Sequence, residues 1–424
     1  MIQLIKYPQP SVWPGLLQRT AQDSMEIRPA VDKILYAVKE KKDEAVKELT
    51  SRLDKITMPS FEVPKQEWDT SGLLSNELKE AINIAINNIG LFHAAQKEQL
   101  QIIETFPGIK CWRKSVAIEK VGLYIPGGTA PLFSTLLMLA IPAKIAGCRE
   151  ITVCTPPDNT GNVHPAILYT AQKTGVSRLF KIGGAQAIAA MAYGTETIPQ
   201  VYKIFGPGNQ YVTTAKMLLA AEGFAIDMPA GPSELAIIAD DTCVPEYVAA
   251  DLLSQAEHGA DSQVLLISTD EDLILKITQC IELQLQALPR KSIAQQALIN
   301  SIAILVKDID EGVSLLNAYA PEHLIIACRD DEKIAEKIVN AGSVFLGNYS
   351  PESVGDYASG TNHTLPTNGY AKAYSGVSLD SFFKKITFQK LTQQGLKNIG
   401  NTITELALAE GLEAHANAIT IRTK

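Results

Sequence analysis

Residues 121–129 read Val-Gly-Leu-Tyr-Ile-Pro-Gly-Gly-Thr, which predicts a buried strand that runs into a glycine loop. The apolar segment 132–146 then predicts a helix, and segment 150–154 predicts the next strand. Two more glycine loops follow predicted strands, at positions 183–184 and 206–209. Strand, glycine loop, helix and strand in this order are typical of a parallel, doubly wound α/β sheet.

A second series of the same kind follows the proline-rich segment 226–234. Its apolar runs predict strands at 235–239, 263–268, 301–306, 325–328 and 343–346, with helices at 244–258 and 273–288. We therefore predict an α/β protein with two Rossmann-like, doubly wound parallel-sheet lobes. The lobes are incomplete in one respect, because neither carries the G-x-G-x-x-G fingerprint. Residues 21–105 predict a helical N-terminal region, and residues 390–424 predict an extended helical C-terminal tail.

The charge balance excludes some classes of function. The chain has 424 residues, with 38 basic and 46 acidic side chains and a net charge of −8. No strong basic patch offsets this charge, so we expect binding to neither nucleic acid nor an anionic membrane. The uncharged run 121–143 contains prolines and paired glycines, which makes it a poor membrane helix.

The cysteine pattern indicates the redox compartment. The six cysteines are scattered without a C-x-x-C pair, and the N-terminus has no secretion signal pattern. They are interpreted as reduced core thiols of a cytoplasmic protein. An alternative role as active-site nucleophiles is open for Cys111 and Cys154, although small buried side chains are the commoner case.

Four polar side chains are candidates for a metal site. Gln255 and His258 are three residues apart at the end of a predicted helix, so they lie on one face. The alternative is a plain helix end where His258 caps carbonyl groups. Together with Asp356 and His415 they supply two nitrogen and two oxygen ligands, a set that suits Zn²⁺ or a similar divalent ion.

Three glycine loops are candidates for nucleotide binding. Tyr124, Gln186 and Asn209 lie in these loops, at or near predicted helix starts, where free N–H groups favour phosphate. Taken singly, such residues are more often turn formers. The long polar loop 355–366 is a further candidate, since loops of this kind are usually functional.

Eight segments in series resemble the histidinol dehydrogenase family over almost the whole chain. They are VGLYIPGG, GGAQAIAA, FGPGN, IDMPAGPSE, SQAEHG, APEHL, GDYASGTNHTLPT and EGLEAHA. The resemblance implies a zinc enzyme of histidine biosynthesis, with one Zn²⁺ per subunit. Such an enzyme oxidises L-histidinol to L-histidine through L-histidinal in two NAD⁺-dependent steps.

The resemblance also implies roles for individual residues. The zinc ligands would be Gln255, His258, Asp356 and His415, and the catalytic pair would be Glu322 and His323. Contacts with NAD would come from Tyr124, Gln186 and Asn209. Substrate contacts would come from Ser233, His323, His363 and Glu410, together with the zinc ligands. For Glu322 and His323 to face the same site, a turn at Pro321 is required.

The resemblance also implies a homodimer whose two subunits share their active sites. The tail of one subunit would complete the partner's site and would supply His415 and Glu410. We divide the chain into an N-terminal arm at 1–20, a discontinuous first lobe at 21–123 and 235–377, a second lobe at 124–234 and an exchanged tail at 378–424. The first lobe would carry the zinc and catalytic residues, and the second the NAD contacts.

Two other functions use the same side chains. In a zinc hydrolase, Glu322 would activate a metal-bound water molecule toward an amide or ester, with no need for a nicotinamide. In a non-catalytic module, the site would only bind zinc and imidazole compounds. Formation of NADH from histidinol, and its loss on replacement of His323, would separate the dehydrogenase from both.

Overall fold

The structure is a computed structural model that describes residues 2–19, 24–127, 131–229 and 231–424. Gly128 and Thr129 of the first predicted glycine loop lie outside the described residues, and so does Ala230. Among the helices described, none is both long and apolar enough to cross a membrane.

Strands and helices alternate along most of the chain. The strands are β1 (Gln3–Lys6), β2 (Ile102–Phe106), β3 (Ile109–Ala117), β4 (Lys120–Tyr124), β5 (Glu150–Thr155), β6 (Arg178–Lys181), β7 (Lys203–Phe205), β8 (Ala225–Ile226), β9 (Glu234–Ala239), β10 (Gln263–Ser268), β11 (Ile302–Leu305), β12 (His323–Ala327), β13 (Ser343–Leu346) and β14 (Phe383–Leu391). The helices are α1 (Trp13–Leu16), α2 (Ser24–Leu53), α3 (Asn76–Ala94), α4 (Phe133–Ala146), α5 (Pro165–Thr174), α6 (Gly184–Tyr193), α7 (Gln210–Ala221), α8 (Pro245–Ala256), α9 (Glu271–Leu285), α10 (Lys291–Ile299), α11 (Ile309–Tyr319), α12 (Asp331–Ala335), α13 (Glu352–Tyr357), α14 (Gln393–Ala409) and α15 (Glu413–Thr423).

A six-stranded parallel sheet is built from the second series and the N-terminal arm. Its strand order is β1-β11-β10-β9-β12-β13. Strands β9 and β10 are buried along their whole length, because helices cover both faces. Helices α8, α9 and α10 share one hydrophobic cluster with one face, and α11 packs on the other.

A five-stranded parallel sheet is built from the first series, in the order β6-β5-β4-β7-β8. Helices α4 and α5 cover one face, and α2, α6 and α7 cover the other. Strand order reverses between β4 and β7, which is the point where such sheets hold ligands at their carboxyl edge. The predicted class, an α/β protein with two doubly wound parallel sheets, is confirmed.

The grouping of segments differs from the predicted domain boundaries in two places. We predict residues 21–123 as part of the first lobe, whereas β4 is the central strand of the five-stranded sheet. Helix α2 also packs on this sheet, since its Val31, Val38 and Val46 join the cluster of α6 and α7. Its apolar spacing predicts a buried face but not the sheet that the face contacts. The division into domains itself stays a prediction.

A three-stranded antiparallel sheet, β14-β3-β2, was not predicted. Strand β14 pairs with β3 over nine residues, from Phe383 opposite Ala117 to Leu391 opposite Ile109. Trp112 and Phe388 stack across this pair with ring centroids 5.4 Å apart. The strand β14 itself is mostly exposed, so its sequence lacks a regular buried face. The tail is therefore a strand followed by the two helices α14 and α15.

Candidate active site

The candidate active site lies where edges of the two parallel sheets face each other. The carboxyl end of β7 approaches the amino ends of β9 and β12, and one cavity is lined from both sides. Gly206 and Pro207 line it from the five-stranded sheet, and Ser233 and Glu322 from the six-stranded sheet. His363 lines it as well. The cavity thus contains three predicted site residues: Ser233, Glu322 and His363.

Glu322 and His323 lie at the start of β12 with their side chains close together. Helix α11 ends at Tyr319, its C-cap Ala320 has a left-handed φ of 54°, and Pro321 follows. Glu322 Oε2 lies 3.7 Å from His323 Nδ1, so the turn required at Pro321 is present. The two residues are only 5% and 4% exposed.

The main chain of Glu234 contacts both side chains. Its N–H donates to Glu322 Oε2 at 2.9 Å, and its carbonyl oxygen lies 3.3 Å from His323 Nδ1. Because a carbonyl oxygen can only accept, Nδ1 carries the hydrogen and Nε2 keeps its lone pair. Nε2 lies 3.8 Å from Asp356 Oδ1. His323 therefore directs its basic nitrogen toward the side of Asp356.

Burial changes the proton affinities of the pair in opposite directions. Loss of solvation raises the pKa of Glu322 well above its ordinary value. It lowers the pKa of His323 to about 4, although the charge of Asp356 opposes this shift. Near neutral pH the imidazole is uncharged, and the Glu322 carboxyl group binds a proton more tightly than an ordinary glutamate. The pair is suited to acid–base chemistry.

Three side chains beside this pair could hold a metal ion. One ligand atom each of His258, Glu352 and Asp356 lies within 4.8 Å of the others. His258 follows the end of α8, and the two carboxylates are four residues apart on α13. Glu352 Oε1 also lies 3.5 Å from His323 Nδ1. The structure thus brings together two of the predicted zinc ligands, His258 and Asp356.

Glu352 was missed at the sequence level. Its carboxylate is buried, and neither oxygen has a hydrogen-bond partner among the described residues. Burial raises the pKa of Glu352 well above its ordinary value, with the charge of Asp356 adding to the shift. The i, i+4 spacing of the two acids on a helix was the available signal. By itself, this spacing is common on solvated helix faces.

Gln255 fits a metal site, because its amide is buried without a partner. The side chain is fully buried at the end of α8, and neither Oε1 nor Nε2 has a hydrogen bond within the described parts of the chain. A buried polar group without a partner costs about 1–3 kcal/mol. A bound cation would satisfy the oxygen of Gln255 and the two oxygens of Glu352. The donor set of oxygens and imidazole nitrogens therefore fits Zn²⁺.

His363 connects the metal cluster to the five-stranded sheet. Its Nδ1 lies 2.9 Å from the carbonyl oxygen of Asp356, and its Nε2 lies 3.2 Å from Thr135 Oγ1 on α4. Burial lowers the pKa of His363, so the ring is neutral near pH 7. With Nδ1 donating to the carbonyl, Nε2 accepts the hydroxyl proton of Thr135.

His415 and Glu410 do not take part in this cluster within one chain. Both are exposed, Glu410 at the end of α14 and His415 on α15. Among the residues described, the candidate metal cluster contains only His258, Glu352 and Asp356. The roles of His415 as a zinc ligand and of Glu410 as a substrate contact stay predictions.

The predicted NAD contacts lie at the carboxyl edge of the five-stranded sheet. Tyr124 ends β4, and its buried hydroxyl accepts a hydrogen bond from the N–H of Gly184 at 3.0 Å. Burial raises the pKa of Tyr124 to about 12, so the phenol keeps its proton. Gln186 is buried in the first turn of α6, and its Nε2 donates to Asp54 Oδ2 at 3.2 Å. Two of the three predicted loops thus meet around one tyrosine.

The third loop is held close to the first by a glycine and a buried ion pair. Gly206 has a φ of +123°, and a Cβ there would lie 2.1 Å from the carbonyl oxygen of Tyr124. The buried pair Lys216–Asp227 holds this glycine, since Lys216 Nζ donates to its carbonyl and Asp227 Oδ2 accepts from its N–H. The side-chain oxygen of Asn209 caps α7. Its amide NH₂ group remains for contact with a ligand.

The cysteines stay outside the pocket chemistry. All six are free thiols. Cys154 is fully buried in β5, and burial raises the pKa of its thiol. Cys111 lies on β3 of the antiparallel sheet. The interpretation of Cys154 as a small buried core side chain is confirmed.

Enzymes that move a hydride between an alcohol and a dinucleotide combine an acid–base pair with loops at the carboxyl edge of a parallel sheet, and this α/β protein has both features. A family model described as histidinol dehydrogenase matches residues 17–423. The chain is 58% identical to the histidinol dehydrogenase of Bacteroides thetaiotaomicron over 423 residues, which cover 100% of this chain and 99% of that protein. The chloroplastic histidinol dehydrogenase of Arabidopsis thaliana is 50% identical over 420 residues, covering 96% of this chain and 90% of that protein.

The fold is similar to that of a solved structure. The crystal structure of histidinol dehydrogenase from Elizabethkingia anophelis matches with a TM-score of 0.97 and 55% identity, covering 99% of this chain and 98% of that one. The chain belongs to the histidinol dehydrogenase family. It is therefore an NAD-dependent oxidoreductase of histidine biosynthesis, as the eight sequence segments predict.

Proposed function

We propose that this protein is a zinc-dependent dehydrogenase that oxidises L-histidinol to L-histidine through L-histidinal, with NAD⁺ as hydride acceptor in both steps. The observation that carries the proposal is the buried Glu322–His323 pair, which lies between a metal-ligating cluster and the loops of the five-stranded sheet. The oxidation of L-histidinol to L-histidine would be the last part of histidine biosynthesis. A cytoplasmic location stays a prediction.

His258, Asp356 and Gln255 would hold the zinc ion, with His415 supplied by a second copy of the chain. When bound, the ion would act as a Lewis acid that anchors the imidazole and amine of the substrate. The buried carboxylate of Glu352 lies beside these ligands and has no hydrogen-bond partner among the described residues, so the bound ion would supply the positive charge that stabilises it. Ser233 and His363 line the cavity that Glu322 also lines, and they would contact the substrate, as would Glu410 from the second copy.

His323 is the base of the first oxidation. Its Nδ1–H is fixed on the carbonyl oxygen of Glu234, so Nε2 takes the proton of the substrate hydroxyl. As this proton leaves, the C–H bond breaks, its electron pair goes with the hydride to NAD⁺, and the carbonyl of the aldehyde forms. Burial lowers the pKa of His323, so the imidazole is neutral near pH 7, and the nearby charge of Asp356 stabilises the ring when it takes up a proton.

Glu322 serves the second oxidation, which needs water. The aldehyde must add water before a second hydride can leave. The Glu322 carboxylate takes a proton from this water as the C–O bond forms, and its raised pKa favours proton uptake. His323, protonated in the first oxidation, returns its proton to the former carbonyl oxygen, which completes the hydrate. His323 then takes the hydroxyl proton of the hydrate as the second hydride departs. The first step releases one proton and one NADH. The second step releases one NADH and two protons, because the carboxylic acid that forms ionises near pH 7.

The NAD contacts would come from Tyr124, Gln186 and Asn209. They lie after β4, at the start of α6 and at the start of α7, which is the crevice where strand order reverses. Helix starts there offer free N–H groups to the pyrophosphate. The cavity lined by Gly206 and Glu322 connects this crevice to the acid–base pair.

A dimer with shared sites would complete the cluster. Helices α14 and α15 pack mainly against each other and leave Leu406, Leu408 and Ile421 exposed. Exposed apolar side chains on a projecting tail favour contact with a second copy. Mixing a His415→Ala subunit with a Glu322→Gln subunit should restore about a quarter of the sites. No recovery in verified mixed dimers would place each site within one subunit.

The function is tested by following NADH absorbance with zinc-loaded protein, L-histidinol and NAD⁺. We expect two NADH per histidinol and a near-complete loss of turnover in His323→Ala. His164→Asn is the matched control, because His164 caps α5 outside the pocket and asparagine is also a good cap. If zinc-loaded wild type formed no NADH, a zinc hydrolase that uses Glu322 on water, or a module that only binds, would replace the proposal.

A further inference from the structure

Arg19, from the N-terminal arm, makes a two-pronged ion pair with buried Glu234. Its Nε donates to Glu234 Oε1 at 2.9 Å, and its Nη2 donates to Oε2 at 2.8 Å. The side chain of Glu234 is only 2% exposed, and that of Arg19 is 14% exposed. The main-chain N–H of Asn368 adds a third hydrogen bond to this carboxylate at 2.7 Å. Glu234 is thus fixed in place at the first position of β9.

Arg19 also holds the turn that leads into Glu322 and His323. Its Nη2 donates to the carbonyl oxygen of Tyr319 at 2.7 Å and approaches that of Ala320 at 3.4 Å. Its guanidinium carbon lies 3.7 Å above the centre of the Tyr319 ring. Ala320 is in the left-handed conformation, which an alanine adopts only where its surroundings hold it there.

One cation therefore joins the two segments that hold the acid–base pair. Glu234 contacts Glu322 through its N–H and His323 through its carbonyl oxygen. Strands β9 and β12 pair in parallel, with His323 opposite Leu235, so any displacement of Glu234 reaches both side chains. The arm, more than 200 residues away in sequence, lies behind the catalytic pair rather than in the cavity.

We propose that Arg19 is a positioning residue for the reaction: through Glu234 and the Tyr319–Ala320 turn, it sets the distance between Glu322 and His323 and fixes the hydrogen on Nδ1 of His323. This inference rests on the proposed roles of that pair. Lysine cannot replace the guanidinium, because a single ammonium cannot span both carboxylate oxygens and two carbonyl groups in one plane.

The chain contains a second arginine fork of the same geometry, whose side chains are more exposed, at 38% and 35%. Arg178 makes the same fork on Glu62, with Nε to Oε1 at 2.8 Å and Nη2 to Oε2 at 2.6 Å. Its Nη2 also donates to a main-chain carbonyl, that of Thr197, at 2.9 Å. Arg178 lies on β6, outside the catalytic machinery, so its variants report the general effect of losing an arginine fork.

The experiment compares Arg19→Ala and Arg19→Lys with Arg178→Ala and Arg178→Lys in the zinc-loaded, full-length protein. We expect kcat to fall about 100-fold in Arg19→Ala and about 10-fold in Arg19→Lys, because a 1 Å error in placing catalytic groups has effects of this order. The KM values for histidinol and NAD⁺ and the zinc content should stay within about threefold. Added guanidinium ion should restore part of the activity of Arg19→Ala. The Arg178 variants should keep wild-type kcat.

A second readout does not depend on turnover. In ¹⁵N NMR spectra, the ring of His323 should be the Nδ1–H tautomer in wild type and a mixture of tautomers in the Arg19 variants. If Arg19→Ala does not fold, Arg19→Lys decides by both readouts. If the wild type did not turn over histidinol, the proposed function would be refuted. The His323 tautomer in the NMR spectra would then still test the positioning role of Arg19. Wild-type kcat and an unchanged tautomer in the Arg19 variants, or equal losses in the Arg178 variants, would overturn the proposal.

Discussion

Gly342 has no side chain because the main chain of Glu322 occupies the space. A Cβ added there would lie 2.5 Å from the carbonyl oxygen of Glu322 and 3.1 Å from Leu365 Cβ. Ordinary contact begins at 3.4 Å, so the peptide of Glu322 must move by about 0.9 Å in Gly342→Ala. The N–H of Gly342 also donates to the carbonyl oxygen of Pro321 at 2.9 Å, which ties the glycine to the same turn.

A shift of this size should reduce turnover far more than stability. Displacement of catalytic groups by about 1 Å lowers the rate by about 10²-fold, whereas overpacking costs about 1–3 kcal/mol of folding free energy. We expect kcat of Gly342→Ala with histidinol and NAD⁺ to fall by about two orders of magnitude, measured by NADH absorbance. Thermal denaturation should show a protein that is folded at the assay temperature.

Gly90→Ala is the matched control. Gly90 lies in helix α3, and a Cβ there would have no neighbour within 4 Å. This change should raise the free energy of unfolding by about 0.5–1 kcal/mol, since alanine favours a helix, and it should leave kcat unchanged. A Gly342→Ala enzyme with kcat within threefold of wild type would show that the turn at Pro321 tolerates displacement, and it would refute the tight placement inferred for Glu322 and His323.

Three further changes have measurable outcomes. Gln255→Met keeps the volume and removes an amide without partners, so the metal-free protein should gain about 1–3 kcal/mol in urea denaturation while metal analysis shows weaker zinc retention. Burial lowers the pKa of His93 below 6.5, so the unfolded chain takes up its proton first as the pH falls. The free energy of unfolding of wild type, relative to His93→Gln, should therefore be highest above pH 6.5 and should decline as acid is added; a flat difference would contradict this. Lys216→Met leaves Asp227 buried without its cation and should lower the free energy of unfolding by about 3–5 kcal/mol, with partial recovery in the double variant with Asp227→Asn.

Sequence patterns located the buried strands because burial on both faces imposes continuous apolar runs. The predicted strands at 263–268 and 343–346 have the observed bounds of β10 and β13. The antiparallel strands β2 and β14 escaped prediction, since their mostly exposed residues form no apolar pattern. Apolar spacing also predicts that α2 has a buried face but not which sheet it covers.

Site residues were predicted where the residue type is rare and stands in a distinctive motif. They were missed where the residue type is common in any sequence. His258 and Asp356 do approach each other, and Glu322 and His323 do share one side of a turn. Glu352 was not found, because the i, i+4 spacing of two acids is common on solvated helix faces and gives no signal of burial. Tyr124 lies at the carboxyl end of β4, where parallel sheets usually bind ligands, whereas Glu322 and His323 lie at the amino end of β12.

The hydrophobic clusters on the two parallel sheets draw on different stretches of the chain. The clusters of the six-stranded sheet contain Leu17 and buried residues between 235 and 345. The clusters of the five-stranded sheet contain buried residues between 31 and 228, together with Val377 and Phe382. On the proposed function, the dinucleotide and the amino alcohol therefore rest on independent interiors. Substitutions in one interior can therefore change the binding of one reactant during evolution, while the binding of the other reactant changes separately.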